Sequence, residues 1–102
     1  MSESRTSVQD FKQLCDYVRE TLSDIESLEP HGFQLTQRLL HRNGEPCGMH
    51  FCLHGPRALR LTAIWETDRN TVLFYGSRGE RVLRTILDDA PQIDASVTCV
   101  AA

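Results

Sequence analysis

Phe33-Gln34-Leu35-Thr36-Gln37-Arg38-Leu39-Leu40-His41-Arg42-Asn43-Gly44-Glu45-Pro46-Cys47-Gly48-Met49-His50-Phe51-Cys52-Leu53-His54 is the stretch that decides the fold. Alternating apolar residues flank Asn43-Gly44, a pair suited to the positive φ of a tight turn, so the stretch predicts a hairpin of strands 33–42 and 46–54. Alternation also bears on the register. A two-residue loop pairs Arg42 with Glu45 and sets Leu35 and Leu39 on the face opposite Cys47, Met49, Phe51 and Leu53. A three-residue loop with Gly44 in the left-handed position of a bulge pairs Arg42 with Pro46 and gathers both apolar sets on one face. The second register is the expectation.

Downstream, Gly55-Pro56 marks a turn, and residues 58–66 read as a third strand with Leu59, Leu61, Ala63 and Trp65 on one side. Residues 67–70 are a polar turn and 71–75 a fourth strand. In Gly76-Ser77-Arg78-Gly79-Glu80 the serine and glutamate match an S-x-x-E capping box. That match predicts a second helix running to about Asp89, with Val82, Leu83, Ile86 and Leu87 inward. Upstream, Val8, Phe11, Leu14, Cys15, Val18, Leu22, Ile25 and Leu28 recur at spacings of three and four, which predicts an amphipathic helix capped by Ser7 and ended by Pro30-His31-Gly32.

The expected fold is α+β: a two-layer sandwich, α-β-β-β-β-α, with a four-stranded antiparallel meander and both helices on one face. Ile93–Val100 could add a short fifth strand. Residues 1–102 form one domain, with frayed ends at 1–6 and 91–102. The expected core is Phe11, Leu14, Val18, Leu22, Leu35, Leu39, Met49, Phe51, Leu61, Ala63, Trp65, Val72, Phe74, Val82 and Ile86.

Composition narrows the class. The chain has 102 residues, 40% of them apolar and 25% charged, with a formal net charge of -3. No apolar run approaches the ~20 residues of a membrane span, and the first residues lack the apolar segment of a secretory signal, so the cytoplasm is the expected compartment. Cys15, Cys47, Cys52 and Cys99 contain no CxxC pair and are expected as buried thiols. Charge is divided along the chain: seven acids face three bases over residues 1–30, and eight arginines face four acids over residues 31–87.

With the apolar sets turned inward, the outward residues form rows across the strands. The expected rows are Arg38, His50, Thr62 and Tyr75; then Thr36, Cys52 and Arg60, with Ser77 beyond; and Leu40, Gly48, Ile64 and Leu73. Apolar Leu40, Ile64 and Leu73 beside Arg38, His50, Arg60, Thr62 and Tyr75 resemble an interface centre and its rim. They point to a small non-catalytic binding or self-association module, with a protein partner or a second copy as occupant. A second reading places a small anion at the N-terminus of the second helix, near Arg60, Ser77, Arg78, Gly79 and Arg81. Nucleic acid is disfavoured by the net charge and by Tyr75 being the one outward aromatic on the sheet. A third reading is a metal or thiol site at His50, Cys52 and His54. The two histidines would stand about 13 Å apart along a strand, too far to share one zinc ion. Catalysis by Cys52 with His50 as base needs a depressed thiol pKa and a cleft. No cofactor is expected.

Overall fold

A computed structural model of the chain describes residues 2–29, 31–89 and 91–92. These form six strands and one helix in the order β1 (Ser2–Thr6), α1 (Phe11–Ile25), β2 (Gln34–Arg42), β3 (Glu45–His54), β4 (Arg60–Glu66), β5 (Thr71–Tyr75) and β6 (Arg81–Leu87). The strands make a single mixed sheet in the spatial order β1-β6-β5-β4-β3-β2. Every neighbour pair is antiparallel except β1 with β6, which is parallel. The α+β class and the central meander agree with the sequence reading, whereas the second helix and the frayed start do not. No helix among the described residues is long and apolar enough to cross a membrane.

Helix α1 begins where its side chains can satisfy free backbone donors. Asp10, not Ser7, is the N-cap, and its carboxylate accepts the Gln13 N–H at 2.8 Å. Gln13 Oε1 in turn accepts the Gln9 N–H at 2.8 Å. Ser7 donates instead to the Asp89 carboxylate. The helix stops at Ile25, short of the predicted Pro30, because Ser27 takes a left-handed φ of 54°. The Leu28 N–H then reaches the Ser23 carbonyl at 2.7 Å and the Ser27 N–H reaches Asp24 at 3.2 Å, a Schellman ending.

The first hairpin reaches the expected register by a different route. Asn43 (φ 54°) and Gly44 (φ 81°) form a two-residue turn, and Arg42 pairs with Glu45. The parity is corrected inside the ladder: His41 pairs with Pro46 but Leu40 with Gly48, leaving Cys47 as the extra residue of a bulge. The Cys47 carbonyl, released from the ladder, accepts both the N–H and the hydroxyl of Thr67, at 3.1 and 2.9 Å. Beyond the bulge Leu39 meets Met49 and Thr36 meets Cys52, the pairings expected of the three-residue loop.

The predicted second helix is strand β6. Gly76–Glu80 closes a hairpin in which the Gly79 N–H bonds to the Gly76 carbonyl at 3.0 Å and the Gly76 N–H to the Glu80 carbonyl at 2.8 Å, with Gly79 at φ 81°. The Glu80 carboxylate, expected to cap a helix, accepts the Arg78 N–H at 3.0 Å within this turn. Alternation therefore turns Leu83, Thr85 and Leu87 toward α1, while Val82 and Ile86, assigned to the core by helical spacing, are only half-buried. Residues 2–6, expected to fray, pair with β6 as strand β1.

The core lies between α1 and the inner sheet face. Leu14, Val18, Leu22, Leu35, Phe51, Leu61, Ala63, Val72 and Phe74 are fully buried, and Phe11, Met49 and Trp65 nearly so. Phe11 packs 6.2 Å from Phe51 and 6.3 Å from Trp65 between ring centroids. Each large apolar side chain so buried contributes on the order of 1.5–3 kcal/mol. Leu39 is half-buried, a smaller departure from the expected core. Cys47 and Cys52 are free thiols, whereas Cys15 is disulfide-bonded, which corrects the expectation of a thiol there. The fifth strand expected at Ile93–Val100 lies outside the described residues.

Candidate functional site

Because α1 covers one side of the sheet, the other side carries the outward residues of every strand, and the register fixes their neighbours. Across the sheet these run Thr36, Cys52, Thr62 and Tyr75; Arg38, His50, Ile64, Leu73 and Arg84; and Leu40, Gly48, Glu66, Thr71 and Ile86. The β2–β3 and β4–β5 pairings are as expected, but β4 is displaced by two residues against β3. The cause is the connection. Pro56–Ala58 forms a 3-10 turn with Arg57 and Ala58 at φ 57° and 63°, and the Gly55 N–H closes onto the Leu59 carbonyl at 2.8 Å, so the strand starts at Arg60. His50 consequently stands beside Ile64 instead of Thr62, and Gly48 beside Glu66 instead of Ile64.

This displacement does not scatter the apolar residues. Gly48 places no side chain between them, so Leu40 and Ile64 line one shallow cavity of about 440 Å³ together with Arg42, Cys47, Trp65, Glu66, Asp68 and Arg69. Leu73 adjoins Ile64 directly. All three leucine and isoleucine side chains are half-buried. Arg42 on this rim is held by Asp68 at 2.9 Å.

A second hollow of about 280 Å³ is lined by Thr36, Gln37, Arg38, His50, Cys52, His54 and Arg60, with no acidic side chain among them. Arg38 and Arg60 are exposed and make no ion pair among the described residues. The Thr36 hydroxyl donates to the Cys52 carbonyl at 3.4 Å and shares a 2.9 Å hydrogen bond with His54 Nε2. Partial burial and the Arg38 charge both push the His50 pKa down from its ordinary value, against a backbone hydrogen bond that raises it. Burial pushes the Cys52 thiol up, with the Arg60 charge opposing. Cys52 thus carries the opposite of the depressed pKa that a cysteine nucleophile needs. No three His, Cys, Asp or Glu residues among those described are grouped so as to hold a metal ion.

The predicted anion site loses the helix on which it rested. Ser77 donates to Glu26 at 3.1 Å, the Arg78 and Gly79 N–H groups are satisfied within the hairpin turn, and Arg81 lies over the Tyr75 ring at 5.9 Å. Of the predicted face residues, Arg38, His50 and Arg60 meet at the basic hollow and Leu40, Ile64 and Leu73 at the apolar centre, while Thr62 and Tyr75 form a row beside Cys52. Of the residues lining the basic hollow, Arg60 alone belonged to the anion-binding set read from sequence; Thr36, Gln37, Arg38, His50, Cys52 and His54 did not. The available signal was that the outward positions Thr36, Arg38, His50, Cys52, His54 and Arg60 carry arginine and histidine but no acid. No family model, curated protein or solved structure matches the chain.

Proposed function

We propose that the protein is a small binding module that acts by contact through the open face of its sheet, with a second copy of the chain as its simplest partner. The observation that carries this reading is the face itself. Half-buried Leu40, Ile64 and Leu73 are bordered by Arg38, His50 and Arg60, and α1, the one described helix, packs on the opposite side. An apolar centre with an arginine-rich rim is the composition of contact surfaces, and a twofold pair needs only one such patch. The raised Cys52 pKa and the shallow hollow favour contact over chemistry.

Sedimentation equilibrium from micromolar to millimolar concentration tests the reading. The expected result is a mass that rises with concentration in the native chain and stays monomeric in Ile64→Glu, whose exposed charge would sit in the centre of the contact. A native chain that remains a strict monomer at millimolar concentration would remove the self-association reading.

A further inference from the structure

We propose that the hollow between Arg38 and Arg60 is a binding site for a phosphate-type oxyanion, the phosphoryl group of a small ligand. The inference rests on the reading of the outer face as a binding surface, and it names a ligand chemistry for one part of that face.

Pairing of charge elsewhere on the sheet makes the hollow stand out. Of the strand arginines, Arg5, Arg42 and Arg84 each hold a carboxylate, at 2.7, 2.9 and 2.8 Å, and Arg81 lies over the Tyr75 ring. Arg38 and Arg60 have neither kind of partner among the described residues, and both line the same hollow. Between them stands His50 on β3, and His54 and the Thr36 hydroxyl, hydrogen-bonded to each other, line the same hollow. Nitrogen donors therefore approach from three adjacent strands, and no carboxylate lines the space to compete for them.

The geometry favours phosphoryl over carboxylate. A carboxylate is planar and is satisfied by a single guanidinium fork, whereas a tetrahedral phosphoryl group presents three terminal oxygens to donors on different sides. A volume of about 280 Å³ lies below the ~300–1,000 Å³ of pockets that enclose a whole drug-sized ligand. The hollow thus suits the anionic group, with the rest of the ligand lying over the neighbouring Thr62 and Tyr75. His50 supplies a readout. Its pKa is held down in part by Arg38, while its neighbours on β4 are Thr62, Ile64 and Glu66 and on its own strand Gly48 and Cys52. An anion seated against Arg38 offsets that positive charge, so the His50 pKa rises on binding.

The test uses the full chain, with inorganic phosphate and acetate as probes at constant ionic strength, followed by amide and histidine ring NMR. Expected are saturable phosphate shifts at Thr36, Arg38, His50, Cys52, His54 and Arg60, an upward move of the His50 titration, and binding weakened about tenfold or more in Arg38→Gln and Arg60→Gln. Arg78→Gln, in the β5–β6 turn, should bind phosphate as the native chain does. Both strand variants replace exposed side chains, and their unchanged thermal melts would exclude a loss through unfolding. Non-saturating shifts spread over many arginines, equal weakening in Arg78→Gln, or acetate binding as tightly as phosphate would each overturn the proposal. A chain that is monomeric at all concentrations yet binds phosphate here would refute the self-association reading and leave this site standing.

Discussion

Thr85 is fully buried, and its hydroxyl meets Ser4 Oγ at 2.9 Å and the Tyr17 hydroxyl at 2.8 Å. One side chain thereby joins β6, β1 and α1, its buried hydroxyl shared between the half-buried Ser4 and Tyr17. Thr85→Val keeps the shape but removes the shared oxygen, so it should cost about 1–3 kcal/mol, because Ser4 and Tyr17 lose a partner in place. Urea unfolding of the two proteins measures that difference; equal midpoints would show that water replaces the hydroxyl. His50 gives a second effect at this scale, with a definite sign. Its folded pKa lies below the unfolded value of about 6.5, so the unfolded chain binds the proton more readily. The His50 contribution is therefore stability that is intact above the unfolded pKa and lost as pH falls from there through the depressed folded value. Urea midpoints between pH 7.5 and 5.5, about a unit either side of that reference and above the carboxylate range, should fall less in His50→Gln than in the native chain.

At the scale of the element, the first hairpin shows why part of the fold was legible in sequence. The demand that Leu35, Leu39, Met49, Phe51 and Leu53 share a face fixes parity, and the pairing of Leu39 with Met49 obeys it. Where the extra residue sits is decided by a distant group: Thr67, from the β4–β5 turn, binds the Cys47 carbonyl through two hydrogen bonds and holds the bulge there. Beside the bulge, a Cβ on Gly48 would stand 2.2 Å from the Trp65 carbonyl oxygen. Gly48→Ala must then push β3 from β4 at the point where the ladder resumes, and should destabilise by about 1–3 kcal/mol, the usual cost of overpacking. A midpoint within error of the native protein would mean that the bulge absorbs the methyl group. β6 is the opposite case to the hairpin. Val82, Leu83, Ile86 and Leu87 satisfy helical spacing as well as a strand does, and a seven-residue run is too short for periodicity to separate the two. The outcome is set by pairing with β1 and β5 and by the bonds to Thr85, none of which local spacing contains.

For the whole molecule, the division of charge seen along the chain becomes a division in space. Asp16, Glu20 and Asp24 lie exposed on α1, while Arg38 and Arg60, without an ion pair among the described residues, occupy the opposite side of the sheet. That the outer face would be cationic could be read from strand alternation alone. The rows within it could not, because the β3–β4 offset depends on the left-handed Arg57 and Ala58. Polarity of this kind permits two modes of self-association with opposite responses to salt. Sheet against sheet brings like charges together, so screening should strengthen it; acidic helix against basic sheet joins unlike charges, so screening should weaken it. The apolar Leu40, Ile64 and Leu73 are on the sheet face, and the twofold arrangement buries two sets of them where a helix-to-sheet contact buries one. The sheet-to-sheet dimer is thus the expected mode, and its association constant should rise as sodium chloride is raised from roughly 0.05 to 0.5 M, over which the Debye length shrinks from about 14 to 4 Å. Sedimentation equilibrium along that series measures the slope, and a constant that falls with salt would assign the contact to the acidic face of α1. In that arrangement each copy would keep one basic face free for the next, so the mass would grow beyond a dimer with concentration unless a ring closes.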